Sequence, residues 1–434
     1  MEQQKSVSRR SFLKTTAATS AAFAAPAFIP QSAFGANDRI RAAVLGLNGR
    51  GKSHVSGLME QPNVEVVTLC DPDSNILGNR ATEFESKYSK TVKSEKDLRK
   101  VFEDKDVDVV SIATPNHWHS LATIWACQAG KDVYVEKPGS HTVWEGRKMV
   151  EAAHKYNRIV QHGVQLRSSE AIQEAIDHLR KGTIGKVYMA RGLVFRWRGD
   201  IGRKGVEDVP NHLDYDLWLG PAQQRPFSRD IVHYNWHWNW EFGNGDVGNQ
   251  GIHETDLCLW GLGVGLPEKI TAMGGKFLFD DAKETPETLC SVYHYPKEGK
   301  LIEFEVRPWC TNLEDGAGVG NIFYGSEGYL VVKGYDKYEI FLGRDRTPGP
   351  SREKGGDHFA NFIACVRSRD ASKLNAPVET AHFSSALAHL GNISYRLGRV
   401  LNFDPSTEQI KDDEEANRML KREYRAPYAV PEQV

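Results

Sequence analysis

The stretch RIRAAVLGLNGRGKSHVSGL, residues 39–58, joins an apolar run to a glycine-rich loop and then to a segment of helical period. In a dinucleotide-binding fold, the first glycine of such a loop makes a tight turn, the second lets the backbone approach the pyrophosphate, and the third lets the helix pack on the strand. Gly46 and Gly51 hold the outer positions, and Asn48 replaces the middle glycine. The order of strand, loop and helix predicts a nucleotide site here.

The second apolar run, VEVVTLCD, ends at Asp71. A carboxylate at this position can accept hydrogen bonds from the adenosine ribose hydroxyls and repel a 2′-phosphate. The pattern therefore favours NAD as the cofactor over NADP. Simpler roles stay open for both residues, because Gly46 can merely turn the chain and Asp71 can cap the turn that Pro72 begins.

Short β-branched runs alternate with helical segments through the first part of the chain. The later runs are VEVVTLCD, VDVVSIATP, DVYVEKP and RIVQHGVQ. Such alternation is typical of a parallel sheet with helices on both faces. We therefore predict an α/β fold that begins with a doubly wound Rossmann domain over residues 37–165.

The pattern changes after Gly182, where longer β-rich runs follow one another without helices between them. They are KVYMARGLVFRW, KITAMGGKFLF, TLCSVYHY, KLIEFEVRPW, NIFYGSEGYLVVKG and YEIFLG. This pattern indicates a mostly antiparallel sheet. We predict a second α/β domain over residues 166–434, whose last helices, in HFANFIACVRSR and AHFSSALAHLGNISYRLGRVL, can pack back on the Rossmann domain.

The N-terminus contains SRRSFLK and then a run of small, mildly apolar residues. The pair Arg9 and Arg10 and the run that follows are typical of a twin-arginine export signal, which we predict over residues 1–36. An amphipathic first helix is the alternative, but no apolar stripe recurs at helical spacing. Export by this route would place the folded protein in the periplasm or elsewhere outside the cytoplasm.

Composition excludes several classes of partner. The chain has 55 basic and 57 acidic residues and a formal net charge of -2, which gives no electrostatic case for nucleic acid or an anionic membrane. No run after the signal is long and apolar enough to cross a bilayer. The six cysteines are scattered and we expect them in the core, with no disulfide assigned.

The segment HYNWHWNWEFGNGDVGNQGIHETD, residues 233–256, is rich in aromatic, histidine and glycine residues. Trp236, Trp238 and Trp240 alternate, so on an extended segment they would share one face. They could form a core stripe. They could also form a substrate wall, because aromatic faces pack against the C–H faces of sugars. Trp236 and His237 are our candidate substrate contacts here.

Pairs of histidines raise the question of a metal site. His233 and His237 are spaced as ligands on a helix would be, but the alternation of Trp and Asn and the nearby glycines argue against a helix. His117 and His119 form a second close pair. We predict no metal.

Three motifs together resemble the Gfo/Idh/MocA oxidoreductases: ATPNHWHS (residues 113–120), EKP (residues 136–138) and GNQGIHETD (residues 248–256). The similarity covers essentially the whole chain after the signal, in order and spacing. The segment DLWLGPAQQRPF and the Trp-rich run after it resemble the exported bacterial branch, whose members act on sugars or glycosides. The resemblance implies a Rossmann domain followed by an α/β domain whose open sheet mediates formation of a homo-oligomer, a dimer or tetramer.

The resemblance also implies roles for individual residues. The lysine of EKP, Lys137, is expected beside the nicotinamide and the substrate hydroxyl, and its bond to Pro138 is often cis in the family. The cofactor-binding residues are then expected to be Gly46, Asn48, Gly51, Asp71, Thr114, Pro115, Asn116, His119, Glu136 and Lys137. His117 and His119 follow the family's pattern of histidine after proline at the cofactor pocket. Gln165 is a further candidate substrate contact.

Oxidation of a hydroxyl by hydride transfer needs a base for its proton. His253 matches the family's histidine, and imidazole titrates near neutrality. Lys137 can stabilise the developing alkoxide or share the role of base. Relatives commonly carry Asp where this chain has Asn249, which cannot accept a proton but can orient a substrate hydroxyl. Asp256, another candidate substrate contact, can hold the imidazole or cap the helix.

The resulting hypothesis is an NAD-dependent oxidoreductase that oxidises a secondary hydroxyl of a sugar, glycoside or polyol, with Lys137 and His253 as acid/base pair. Because free NAD is scarce outside the cytoplasm, we expect the cofactor to be tightly bound and recycled in place. A redox-neutral glycosidase, in which NAD oxidises the sugar transiently, is the first alternative. A non-catalytic sugar-binding protein is the second.

Overall fold

The strands that begin at Ile40 form a six-stranded parallel sheet in the computed structural model, which describes residues 39–434. The predicted export signal, residues 1–36, lies outside the described residues. The strands are β1 Ile40–Leu45, β2 Val64–Cys70, β3 Lys93–Glu95, β4 Val109–Ile112, β5 Asp132–Val135 and β6 Val160–His162. Their order, β3-β2-β1-β4-β5-β6, is the doubly wound arrangement of a Rossmann fold, as predicted.

Helices connect these strands and begin at recognisable caps. They are α1 Arg50–Met59, α2 Ser74–Tyr88, α3 Leu98–Glu103, α4 Asn116–Gln128 and α5 Val143–Lys155. The side chain of Asp73 accepts hydrogen bonds from the backbone N–H groups of Asn75 and Ile76, and Thr142 caps α5 in the same manner. These contacts satisfy N–H groups that a helix leaves unpaired at its start.

A ten-stranded sheet makes up most of the second region. Its strands are β7 Val187–Phe195, β8 Lys269–Gly275, β9 Thr288–Tyr295, β10 Lys300–Arg307, β11 Val319–Gly325, β12 Gly328–Lys333, β13 Lys337–Leu342, β14 Thr347–Glu353, β15 Leu401–Asp404 and β16 Gln409–Ile410. Within this ten-stranded sheet, as the structure describes it, β7 and β10 are the one parallel pair and the other neighbours are antiparallel, so the prediction of a mostly antiparallel sheet is confirmed. The run NIFYGSEGYLVVKG is a hairpin of two strands rather than one element.

Helices cover one face of this sheet and bury its main core. They are α6 Glu170–Arg180, α9 Ile252–Leu262 and α11 Val378–Leu397, with the short α8 Gly245–Asn249 immediately before α9. Ile172, Leu257 and Leu387 pack in one cluster with Phe304 of the sheet. The remaining helices are α7 Tyr215–Leu219, α10 His358–Ser368 and α12 Glu414–Arg418.

The end of the chain returns to the Rossmann sheet, as the sequence allowed. Phe362 and Ile363 of α10 join the core beside Val44, while Tyr428 joins the core beside Trp118. Residues Ile40–Val434 consequently form one compact unit. None of the helices in residues 39–434 has the length and apolar character needed to span a bilayer.

The cysteines only partly follow the sequence prediction. Cys70, Cys127, Cys258 and Cys365 are buried and unpaired, but Cys290 and Cys310 are exposed. The prediction that these two lie in the core is therefore wrong. Cys290 lies on the uncovered face of β9, where buried and open positions alternate along the strand.

Candidate active site

The glycine loop lies at the carboxyl end of β1, where the sequence placed it. Gly46 has a φ of +82°, and a Cβ there would lie 2.6 Å from the carbonyl oxygen of Ala113. A Cβ on Gly51 would lie 1.8 Å from the carbonyl oxygen of Gly46. The turn and the packing of α1 on β1 thus both require glycine. Asn48, at the middle position, lines the cleft above the loop.

Asp71 lies beside this loop at the end of β2. One carboxylate oxygen accepts a hydrogen bond from the backbone N–H of Leu47 at 2.8 Å, and the other accepts from Asp73 at 3.0 Å. Burial raises the pKa of Asp71 to about 6. Asp71 lines the same cleft as Gly46, Thr114 and Pro115.

The opposite wall of the cleft comes from the long connection between β7 and β8. Trp218, His233 and Trp236 line it. Residues Asn235–Trp238 form a 3-10 helix, so the prediction that Trp236, Trp238 and Trp240 share one face of an extended segment is wrong. Trp236 stacks on His237 with centroids 3.6 Å apart and faces the nucleotide cleft.

The other two tryptophans of this run have different surroundings. Trp238 is buried, and the guanidinium of Arg396 lies 5.1 Å from the centroid of the Trp240 ring. His237 donates its Nδ1–H to the carbonyl of Tyr234 at 2.6 Å, and burial lowers its pKa to about 3. Within residues 39–434 no group of three metal-binding side chains occurs.

Lys137 lies where the two halves of the site meet. The Lys137–Pro138 peptide bond is cis, as the resemblance implied. The ammonium Nζ donates to the Asn249 carbonyl oxygen at 2.6 Å and to its amide Oδ1 at 3.3 Å. Burial lowers the pKa of Lys137. Asn249 thus fixes the position of the lysine rather than standing apart from it.

Glu136 organises the groups around Lys137. Its Oε1 accepts hydrogen bonds from Arg50 at 2.7 Å, from His54 at 3.0 Å and from Gln165 at 3.1 Å. Although burial opposes ionisation, the charge of Arg50 and the bond from His54 hold the Glu136 pKa well below its usual value. Gln165, a candidate substrate contact, thus donates a hydrogen bond to Glu136 in this structure.

His253 occupies the first turn of α9. It is 3 % exposed, and its ring lies edge-on to Tyr335 with centroids 5.2 Å apart. Burial and then the charge of Lys137 hold its pKa well below the usual value, so the imidazole is neutral. No partner within residues 39–434 binds Nδ1 of His253. A neutral imidazole can accept a proton.

Asp256 does not take either role that the sequence suggested. Both carboxylate oxygens accept hydrogen bonds from Arg167, at 2.6 and 3.0 Å, and the residue is 2 % exposed. It therefore neither holds the His253 imidazole nor caps the helix. These two predictions are wrong because the spacing of Asp256 from His253 gave no information about Arg167, which lies on the 3-10 turn Gln165–Ser168. The prediction that Asp256 contacts the substrate stays a prediction.

The residues of the ATPNHWHS motif lie at the start of α4. His119 places Nδ1 2.6 Å from the Pro138 carbonyl and Nε2 2.8 Å from the Thr114 carbonyl. His117 reaches the Trp218 carbonyl at 3.1 Å, and the Asn116 amide lies 3.5 Å from Asn244. His119 thus links the cleft to the EKP loop.

Several residues of the site escaped the sequence analysis. Arg50 lies inside the glycine loop and Gln250 lies inside the GNQGIHETD motif, so both could have been found from their positions. Nothing in the local pattern marks His54, Arg196 or Tyr335. These five residues come from four separate parts of the chain and meet only in the fold.

The cleft fits a dinucleotide. It brings the glycine turn, the Asp71 carboxylate and Thr114, whose buried hydroxyl lacks a partner within residues 39–434, to one sheet edge. Residues 40–164 match the Gfo/Idh/MocA oxidoreductase family, NAD-binding Rossmann fold. Residues 179–268 and 347–430 match the C-terminal alpha/beta domain of the same family. The chain belongs to this oxidoreductase family. NAD is therefore the cofactor.

Two of the curated relatives are named as enzymes that act on sugars or glycosides. A levoglucosan dehydrogenase of Pseudarthrobacter phenanthrenivorans is 34% identical over 140 residues, covering 32% of this chain and 34% of the relative. A glycosyl hydrolase family 109 protein of Saccharopolyspora erythraea is 29% identical over 170 residues, covering 37% and 36%. The chain thus spans about a third of the length of these curated relatives.

Solved structures share the fold over a longer range. The WlbA dehydrogenase of Bordetella pertussis, in complex with NADH and UDP-GlcNAcA, superposes with a TM-score of 0.63 at 20% identity. The match covers 84% of this chain and 99% of that one. The chain therefore shares the fold of that dehydrogenase.

Proposed function

We propose that the protein oxidises a secondary hydroxyl of a sugar, glycoside or polyol in an NAD-dependent reaction. The observation that carries this proposal is the contact of the Lys137 ammonium with Asn249, one turn of chain before His253. It joins the EKP loop to α8, the short helix immediately before the one that carries the neutral His253 imidazole. The dehydrogenase relative supports the sugar as substrate class.

Gly46, Asn48, Asp71, Thr114 and Pro115 would hold the cofactor, because they line one cleft at the ends of the parallel strands. When bound, NAD supplies the acceptor for the hydride that leaves the carbinol carbon. The protein must then position the hydroxyl and take its proton.

His253 and Lys137 would divide the proton chemistry. The neutral His253 imidazole takes the hydroxyl proton as base. The Lys137 ammonium has two of its N–H groups on Asn249, so one remains to donate to the substrate oxygen and stabilise negative charge on it.

Single-turnover reduction of bound NAD tests this division. We expect Lys137→Ala and His253→Ala each to slow the reduction by about 10²-fold or more, as loss of a general acid or base does. Lys52→Ala and His154→Ala, at exposed positions, are matched controls and should react like the parent. Folded Lys137 and His253 variants with full turnover would contradict the assignment.

A redox-neutral glycosidase is the second candidate, favoured by the similarity to the glycosyl hydrolase family 109 protein. In that case oxidation at one sugar carbon is transient, and elimination and hydration follow before the sugar is reduced again. Incubation with aryl glycosides separates the two candidates. Release of phenol without accumulating keto-sugar supports the glycosidase, whereas accumulating keto-sugar supports net oxidation.

We also propose that the protein is exported with NAD tightly bound and that it forms a homo-oligomer. His233, Trp218 and Trp236 close one side of the cofactor cleft, which favours retention. Mass spectrometry of small molecules released from denatured exported protein tests retention, and light scattering tests the assembly. A sugar-binding protein without turnover would release no NAD and reduce none.

A further inference from the structure

Arg196 is the cation at the outer edge of the site. Its Nη1 donates to Gln250 Oε1 at 2.7 Å, and Gln250 Nε2 donates to the Tyr335 hydroxyl at 2.9 Å. The Tyr335 ring in turn contacts the edge of the His253 ring. An unbroken series of contacts therefore joins Arg196 to the proposed base.

The charges around the site do not cancel. Glu136 is paired with Arg50 at 2.7 Å. Of the carboxylates in residues 39–434, none lies within ion-pair distance of Lys137 or Arg196, whose contacts are amide and carbonyl oxygens. Glu254 lies nearby, but burial raises its pKa to about 8, so it is mostly protonated at neutral pH. Arg196 thus has no carboxylate within ion-pair distance among the described residues.

The geometry at Arg196 suits a planar anion. Arg196 is exposed, and only one of its terminal nitrogens is committed to Gln250. One edge of the guanidinium is therefore left for a ligand, and Tyr335, 41% exposed, stands beside it. A carboxylate matches such an edge with two parallel hydrogen bonds.

We propose that the substrate is a sugar carboxylate, a hexuronic acid or its glycoside, whose carboxylate binds Arg196 while its reacting hydroxyl lies between Lys137 and His253. This inference rests on the proposed function and narrows its substrate class. Arg196 then determines specificity, and it takes no part in the proton transfer.

A matched pair of ligands tests the proposal. Methyl glucoside and methyl glucuronoside differ only in that a carboxylate replaces a hydroxymethyl group. Binding to the NAD-loaded protein is followed by calorimetry, and reduction of bound NAD by absorbance. We expect the glucuronoside to bind at least about tenfold more tightly, the ratio that corresponds to about 1.4 kcal/mol. Equal binding of the two glycosides, or tighter binding of glucose 6-phosphate than of both, would contradict the proposal that Arg196 binds a substrate carboxylate.

Variants separate a binding role from a structural one. Arg196→Gln should weaken binding of the glucuronoside by about tenfold or more and change binding of the neutral glucoside by much less, because the glucoside has no carboxylate to pair with the guanidinium. Arg203→Gln removes an exposed arginine that pairs with Asp280 and is the matched control. If Arg196→Gln binds both glycosides like the parent, the inference is wrong.

Failure of the inference and failure of the proposed function give different results. If the neutral glucoside alone reduces NAD, the dehydrogenase activity is supported and the acidic substrate is contradicted. The opposite result is also possible: the glucuronoside binds in a manner that depends on Arg196, but NAD is not reduced and an aryl glucuronide releases no phenol. That result would support the acidic ligand and contradict the proposed enzymatic function.

Discussion

The amide oxygen of Asn249 lies 3.3 Å from the Lys137 ammonium. The side chain is therefore a neutral anchor for a cation whose pKa burial already lowers. An acid here would favour the charged ammonium, and an amide does so less. The residue sets how readily Lys137 loses its proton.

Asn249→Asp should raise the Lys137 pKa by about one unit or more, because an opposite charge within a few ångströms favours the protonated amine. The part of the pH–rate profile that depends on loss of this proton should move to higher pH by the same amount. Single-turnover reduction of bound NAD across a pH series measures the shift. Asn249→Ala serves as the uncharged control, and an identical shift in both variants would contradict the prediction.

Asp71 should make cofactor affinity depend on pH. Burial raises its pKa to about 6, so the carboxylate is ionised above that pH and protonated below it. The ionised form offers more acceptors to ribose hydroxyls, and NAD should bind more weakly as the pH falls through about 6. Fluorescence titration of the cofactor-free protein measures this.

Asp71→Asn should bind NAD weakly and with little dependence on pH. Asp280→Asn changes an exposed carboxylate and is the matched control. If Asp71→Asn still loses affinity for NAD at acid pH as the parent does, then another group causes the pH dependence.

The connection between β7 and β8 fastens itself to the nucleotide-binding loop after β2. Ser74 donates its backbone N–H to His212 at 2.8 Å, and Asp214 donates to Pro72 at 3.0 Å. The His233 Nε2 lies 2.9 Å from the Asp73 carboxylate. The element that carries Trp236 is thus held against the cofactor cleft.

His233→Ala should release NAD about tenfold faster, since a hydrogen bond to a charged group contributes about 1.5–3 kcal/mol. Stopped-flow exchange of bound cofactor for a fluorescent analogue measures the rate. His154→Ala, which removes an exposed histidine beside Glu379, should leave the rate unchanged. If the two variants release NAD at the same rate, the contact between His233 and Asp73 does not control how long NAD stays bound.

At the scale of the whole molecule, the last residues complete the Rossmann core. Tyr428 is 2 % exposed and meets the Trp118 ring edge-on at 5.5 Å. Val430 and Val434 are buried in the same cluster. The end of the chain is therefore packed into the core of the Rossmann sheet.

Tyr428→Ala should destabilise the whole unit by about 3 kcal/mol, because a large buried aromatic side chain is lost from a packed core. Denaturant unfolding followed by tryptophan fluorescence measures the change. Tyr188→Ala, at a position 48% exposed, is the control and should change stability little. A Tyr428 variant as stable as the parent would show that the tail does not contribute to the core.

The strands and helices followed from local patterns, with a few exceptions. β3 is KSE, three polar residues without an apolar pattern, and it forms only because β2 offers an open edge. Trp236, Trp238 and Trp240 alternate as a strand would, yet the glycines and tight turns around them place them on a 3-10 turn and the loop after it. Local pattern fails where neighbouring elements decide the conformation.

The sequence by itself determined the glycine turn at Gly46, the carboxylate at Asp71 and the motif that contains Lys137, because each depends on residues close together in the chain. Only the tertiary structure paired Lys137 with Asn249 and Asp256 with Arg167, and brought Arg196 to the edge of the site. Periodicity reports which face of an element is buried. It carries no information about which distant side chain packs against that face, and that choice is made by the path of the whole chain.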